Sequence, residues 1–159
     1  LKHWRWCLET NAFALALLAQ HGAPLMKEGG RIIAMSSLGS VRAMPNYAFI
    51  GAAKAPLESL VRSLAQELGP RGVRVNAVCP GWIKTEMDIK DMGSGAYTDD
   101  DIIDRVPMAR FARPADVAAA IAFLADHQSS AFVNGVSLPV DGGWTGDASW
   151  DALRKKTRG

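Results

Sequence analysis

Two short apolar runs constrain the fold of this chain more than any other feature. Arg31–Ser36 (RIIAMS) and Val73–Val78 (VRVNAV) are dominated by apolar residues instead of alternating apolar with polar. That pattern marks strands buried on both faces, as in a parallel sheet, because a strand wet on one side alternates. Between them, Asn46–Leu68 carries Phe49, Ile50, Ala53, Leu57, Leu60, Val61 and Leu64 at helical spacing, and Gly69-Pro70 stops it. Pro56 lies inside that helix and predicts a local irregularity. A first helix is predicted from about His3 to Met26, with Trp4, Cys7, Leu8, Leu15 and Leu18 on one face. Gly22 and Pro24 should bend or end it. After the second strand come a glycine-bearing segment, Cys79–Thr98, and a short helix over Asp99–Val106. A helix over Pro114–Ala125 follows, and then a strand over Val136–Val140 closed by Asp141-Gly142-Gly143. Strands alternating with helices define an α/β fold with a parallel sheet covered on both faces. Three strands leave one edge of that sheet open.

Composition narrows the class. The 159 residues are 48% hydrophobic with a net charge of +2, which suits one globular domain or a large piece of one. Two cysteines, Cys7 and Cys79, make no disulfide framework, so the expected compartment is the reducing cytoplasm. The longest apolar run, Ala12–Ala19, is far shorter than a membrane span, and no signal peptide is expected. No membrane association is expected. The cluster Arg154, Lys155, Lys156 and Arg158 reads as a solvated tail, without the aromatic or glycine-rich pattern of a nucleic-acid binder. No His or Cys cluster has metal-ligand spacing, so no metal is expected. The first residue is Leu1 rather than Met, which suggests truncation.

Four motifs in order carry a resemblance. Gly30-Arg31-Ile32-Ile33 through Ser36-Ser37 comes first, then Lys54 on a helix. Arg74-Val75-Asn76-Ala77-Val78-Cys79-Pro80-Gly81 and Val140-Asp141-Gly142-Gly143 follow. Together they resemble the short-chain dehydrogenase/reductase family over essentially the whole chain. The resemblance implies that residues 1–159 are the C-terminal part, about the last 60%, of a Rossmann-type doubly wound domain. The family's glycine-rich turn, which binds the dinucleotide pyrophosphate on backbone N–H groups and a helix N-terminus, has no counterpart here. Gly93-Ser94-Gly95 follows no strand and opens no convincing helix. The portion lacking would comprise about three strand–helix units, roughly 100 residues.

In the common family pattern a tyrosine lies four residues before the helix lysine. Here that position is Ile50, which has no hydroxyl, and Tyr47 lies seven residues before Lys54. Seven residues is two helical turns, so the two still share a face, about 10 Å apart along the axis. A tyrosine displaced toward the helix start resembles the enoyl-acyl-carrier-protein reductase branch, as do His3-Trp4-Arg5-Trp6 and Leu38–Tyr47. Ser37, in place of a second tyrosine, resembles the NADPH-dependent type, so NADP(H) is favoured over NAD(H). The chemistry gives a reason for the displacement. Enoyl thioester reduction puts hydride on C3 while charge develops on the more distant carbonyl oxygen, which a displaced phenol can stabilise.

The resemblance implies Tyr47, Lys54, Ser37 and Asn11 as catalytic residues. Lys54 would hold the nicotinamide ribose and favour the acidic role of the phenol. Pro80, Gly81, Ile83 and Thr85 would receive the nicotinamide carboxamide, Ile83 through its backbone and Thr85 through its hydroxyl. Each has a plainer alternative: Tyr47 a packing aromatic, Ser37 a turn residue, Asn11 a buried amide at a helix kink, the loop an ordinary strand exit. Lys84 reads as solvated. Arg42, Met44, Met87, Met92, Tyr97 and Met108 border the expected acyl pocket, although methionine more often fills core gaps. The implied substrate is an acyl thioester, on acyl carrier protein in the branch's usual setting. The implied assembly is a homodimer or homotetramer through helices 3–26 and 46–68. Carbonyl reduction, or a catalytically incomplete fragment, are the competing readings. Expressed alone, these 159 residues are expected to bind NADPH negligibly, because the pyrophosphate cradle supplies most of the attraction for the dinucleotide's charged centre. Isothermal titration beside a chain restoring the glycine-rich segment checks this; micromolar binding by the 159 residues alone would overturn it.

Overall fold

The computed structural model describes residues 1–27, 29–44, 46–86 and 98–146. The chain begins with α1 (Lys2–Leu8) and α2 (Ala14–Gly22), joined by a π-helical turn over Glu9–Phe13. The sequence predicts one regular helix here. The wider turn holds an extra residue and rotates the register beyond it. Leu15 and Ala19 are therefore buried, whereas Leu18, expected on the core face, is exposed. Gly22 ends α2 as expected, through a 3-10 turn over Ala23–Leu25.

Strand β1 (Arg31–Met35) leads through a 3-10 turn, Leu38–Ser40, to helix α3 (Ala48–Leu68). α3 starts two residues later than predicted because Asn46 sits at φ 60, a left-handed conformation no helix admits. Pro56 is exposed, and the helix runs through it unbroken, so the expected irregularity is no more than the missing N–H donor. Gly69–Arg71 closes α3 with a 3-10 turn, and Gly72 reverses the chain at φ 69. Strand β2 (Arg74–Pro80) then runs two residues further than predicted. Helices α4 (Asp99–Ile103), α5 (Pro114–Ala125) and α6 (His127–Ser130) precede β3 (Ser137–Val140). α4 is shorter than predicted and starts on a capping box between Thr98 and Asp101.

The sheet order is β1-β2-β3, and both pairings are parallel. Arg31 lies opposite Arg74 and Met35 opposite Val78; on the other side Ala77 lies opposite Ser137 and Pro80 opposite Val140. Among the described residues β1 pairs on one side only, the open edge that three strands imply. The core lies on both faces. Leu15, Leu57, Val61 and Ala65 pack against Ala34, Val75 and Ala77 on one side. Val117 and Leu124 pack against Val78, with Ile33 and Leu138, on the other. Each fully buried Val or Leu contributes about 1.5–3 kcal/mol. Among the described residues no helix is long and apolar enough to cross a membrane.

Candidate active site at the carboxyl ends of the strands

Parallel pairing brings the carboxyl ends of the three strands to one edge, where sites in such sheets form. Ser36 N–H donates to the Val78 carbonyl at 2.8 Å, and Gly81 N–H to the Val140 carbonyl at 2.9 Å, so the three exits stay in register. Ser37 leaves β1 with its hydroxyl 3.3 Å from the Tyr47 phenol oxygen. The same hydroxyl accepts the Gly39 N–H at 3.3 Å, which is the turn role expected as the plainer reading of Ser37. Tyr47 is the residue before α3, not within it, and its carbonyl accepts the Gly51 N–H at 2.8 Å. Its ring lies against Gly39, where a Cβ would come within 2.6 Å of ring carbons. A Cβ on Gly51 would meet the Gly39 carbonyl oxygen at 2.6 Å, so two glycines let the loop seat on the helix start.

Lys54 reaches the same edge one element over. Its ammonium donates to the Met35 carbonyl at 2.7 Å, two residues before Ser37. Burial holds its pKa below the ordinary lysine value, against an opposing pull from Cys79. One turn further along α3, Glu58 is a buried carboxylate. Its Oε1 accepts from the Ser36 hydroxyl, from the Ser40 hydroxyl at 2.5 Å and from the Cys79 thiol at 3.3 Å. Burial pushes the Glu58 pKa up, but these donors outweigh it and the net direction is down. The Cys79 thiol is pushed up to about 12, by burial first and by the neighbouring Glu58 charge second.

Pro80 ends β2 beside this cluster, and Gly81 follows it. Gly81 has no room for a side chain, because a Cβ would stand 2.6 Å from the Asp141 Cα. The loop continues through Ile83, which bridges in parallel to Ala112; the Ala112 N–H donates to the Trp82 carbonyl at 2.9 Å. The Ile83 side chain packs into the α5-side core, which leaves its backbone as the part available to a ligand. Thr85 is exposed at the end of this stretch. Lys84 differs from expectation: it pairs with Asp99 and lies 5.3 Å from the Phe111 ring centre, tying the loop to α4. Asp141 accepts from Gly143 N–H at 3.0 Å and Thr145 N–H at 2.7 Å, and Arg42 donates to the Thr145 carbonyl at 2.5 Å. A cavity of about 290 Å³ opens under this loop, lined by Trp82, Val106, Met108 and Asp141 among others, and includes none of Ser37, Tyr47 or Lys54.

The structure thus brings Ser37, Tyr47, Lys54, Pro80 and Gly81 to one edge, with Ile83 and Thr85 on the loop leaving it. Asn11 stands apart from their hydrogen bonds. It lies in the π-helical turn, which packs on α3, and its amide donates to the Cys7 carbonyl at 2.8 Å, the helix-kink role. Single-turn π-helices recur at functional sites. Met87, Met92 and Tyr97, expected at an acyl pocket, and Gly93-Ser94-Gly95 lie outside the described residues, as does the basic cluster after Asp147. Sequence reasoning missed Glu58. A carboxylate in register with Val61 and Ala65 on the buried stripe of α3 was the available signal, since buried charges are kept only when satisfied.

The chain belongs to the short-chain dehydrogenase/reductase family. The family profile described as "Enoyl-(Acyl carrier protein) reductase" matches residues 1–145. An NADH-type enoyl-acyl-carrier-protein reductase of Nostoc is 41% identical over 141 residues, covering 86% of this chain and 52% of that protein. A 3-oxoacyl-acyl-carrier-protein reductase of Synechocystis is 34% identical over 145 residues, covering 90% of this chain and 56% of that protein. A solved oxidoreductase of the same family from Burkholderia thailandensis superposes with a TM-score of 0.84 at 32% identity, covering 97% of this chain and 61% of that one. The chain therefore spans about half the length of these two curated relatives.

The raised thiol yields a pH prediction. Cys79 ionises near pH 12 in the folded protein, against an ordinary thiol value of 9.0. The unfolded chain loses this proton first, so the buried thiol's contribution is whole below about pH 9 and is lost as pH rises toward 12. In urea unfolding, the stability of the native sequence relative to Cys79→Ser should hold level from pH 8 to about pH 9 and fall from there to pH 10.5. A difference that stays constant over that range would contradict the assignment.

Proposed function

We propose that the whole protein is a nicotinamide-dependent reductase of enoyl thioesters, of the kind that acts in fatty acid synthesis. The observation that carries this reading is the Ser37–Tyr47 contact at the strand edge, with Ile50 at the position four before Lys54. A phenol is thereby offered at a point displaced from the usual one, which suits an enolate oxygen remote from the carbon receiving hydride. The residues present fit the nicotinamide–ribose half of a dinucleotide: a half-buried ammonium at Lys54, and a strand exit at Gly81 held so close to Asp141 that no Cβ fits. When bound, the nicotinamide supplies hydride. Lys54 would hold the ribose hydroxyls, and the Ile83 backbone with the Thr85 hydroxyl would orient the carboxamide. Tyr47 would donate its phenolic hydrogen toward the thioester oxygen as charge develops there, and Ser37 would fix the direction of that phenol. Ser37, where a second tyrosine would mark the NADH type, favours NADPH, although the Nostoc relative carries an NADH name.

Ketone reduction is the second reading, favoured by the name of the Synechocystis relative. The cytoplasm suits both readings, since Cys7 and Cys79 are both free thiols. Acyl carrier protein is the proposed carrier of the thioester. We also propose an isologous dimer, within a tetramer, through α1–α2 and α3. Trp6, Phe13, Leu17, Leu18 and Phe49 are large apolar side chains there, each more than half exposed.

Three measurements on the whole protein test these proposals. NADPH oxidation should proceed faster with a crotonyl or longer enoyl thioester than with ketones, and Tyr47→Phe should slow it by about 10²- to 10⁴-fold. Turnover of ketones alone would exclude the enoyl reading. Lys54→Ala should weaken cofactor binding and turnover together; if neither changes, the lysine has no part in the site. Light scattering at micromolar concentration should give a dimer or larger, and a monomer would refute the interface.

A further inference from the structure

We propose that Glu58 is a positioning residue for the Ser37–Tyr47 pair, acting as a clamp that fastens three separate elements around it. This rests on the reductase reading for its catalytic consequence, but the clamp itself is geometric. Glu58 is 5% exposed on α3, one turn beyond Lys54. A single carboxylate oxygen collects the Ser36 hydroxyl from the end of β1, the Ser40 hydroxyl from the turn after Ser37, and the Cys79 thiol from β2. Ser36 and Ser40 flank Ser37 on both sides. The Ser40 hydroxyl is shared, also lying 2.7 Å from the Ser37 carbonyl. With both ends of the turn tied to α3, Ser37 has little freedom to move relative to Tyr47, which the start of the same helix carries.

A carboxylate suits this task better than an apolar residue. Three convergent donors need an acceptor with several lone pairs, and charge-assisted bonds are shorter and stronger than neutral ones. Without it, the buried Ser36 and Cys79 donors would lose their partner, and the Ser40 hydroxyl would keep only the Ser37 carbonyl, so the turn would lose its tie to α3. Ser137, on β3 beside β2, has a buried hydroxyl that makes no hydrogen bond among the described residues. A glutamine at 58 would keep an Oε1 acceptor for the Ser36 and Ser40 hydroxyls.

The test uses the whole protein and four variants: Glu58→Ala, Glu58→Gln, Ser40→Ala and Tyr47→Phe. Tyrosine labelled with ¹³C at Cζ reports on Tyr47, whose resonance is assigned by its loss in Tyr47→Phe. Glu58→Ala should shift that resonance and lower kcat about tenfold or more on whatever substrate the protein reduces, with cofactor Kd changed less than about twofold. Losing one charge-assisted bond is worth a factor of that order. Ser40→Ala, the milder change should Glu58→Ala not fold, should shift the resonance in the same direction and cost kcat a smaller factor. Glu58→Gln should restore the resonance and at least about a third of kcat. An unmoved Tyr47 resonance in both Glu58→Ala and Ser40→Ala would overturn the clamp. So would equal loss of kcat, cofactor affinity and melting temperature in Glu58→Ala and Glu58→Gln, which marks a purely structural carboxylate. A shifted resonance in a protein that reduces no thioester or ketone would leave the clamp standing and reject the reductase reading.

Discussion

Strand β2 is the constraint from which the remaining architecture follows. From Arg74 to Cys79 every residue is buried, so the strand needs a neighbour on each edge and a cover on each face. Pleating sends Val75 and Ala77 to the α3 side and Val78 to the α5 side, and each face meets its own cluster of Leu and Val. A helix on one face alone would leave half of these side chains wet. The β2 sequence therefore selects helices on both faces and, through the long connections such a layout needs, strands that run parallel.

Placing two polar residues in so dry a strand costs stability unless every hydrogen-bonding group is satisfied. Asn76 meets the requirement by standing in for backbone. Its Oδ1 accepts the Val136 N–H at 3.0 Å, and its Nδ2 donates to the Val133 carbonyl at 2.9 Å. Arg74 donates to the carbonyls of Leu124 and Val133, at the end of α5 and in the loop after α6. Asn134 answers from the other side, accepting the Val75 N–H at 2.8 Å and donating to the Ala65 carbonyl at 3.0 Å. These bonds hold the segment entering β3 against β2, which fixes where Asp141 emerges and hence why residue 81 has to be glycine. Polar side chains deep in the sheet thus set the spacing of the strand exits at its rim.

Much of this was legible in the sequence because it depended on periodicity and on chain-breaking residues. RIIAM, VRVNAV and the α3 stripe announced the layers, and Gly22, Gly69 and Pro114 marked helix ends that the structure reproduces. That Ser37, Lys54 and Gly81 share one edge was legible too, since motifs at strand ends in a parallel sheet converge by topology. What escaped was set by features without a repeating signature. The π-helical turn at Glu9–Phe13 rotates α2 by one extra residue, and nothing in the apolar spacing reports it. Asn46 delays α3 through its own φ, so Tyr47 lies ahead of the helix and not on its face. Glu58 escaped because its partners come from three distant segments, and Lys84 because Asp99 lies fifteen positions away across an uninformative stretch.

The position of Tyr47 bears on which reaction the site would favour. In carbonyl reduction, hydride and proton go to atoms one bond apart, so the acid must stand beside the hydride-accepting carbon. In enoyl thioester reduction the carbon receiving hydride and the oxygen gathering charge are three bonds apart, so the acid must stand back by a comparable distance. Moving a phenol from position 50 to position 47 is a displacement of three residues, about one helical turn. That move takes it off α3 and over the turn that follows β1, where its ring occupies the space a Cβ on residue 39 would need. Gly39 and the displaced tyrosine are therefore one feature. A Cβ at 39 would also come within 3.3 Å of the Gly51 Cα, so the ring at 47 and the backbone of α3 together leave room there only for glycine.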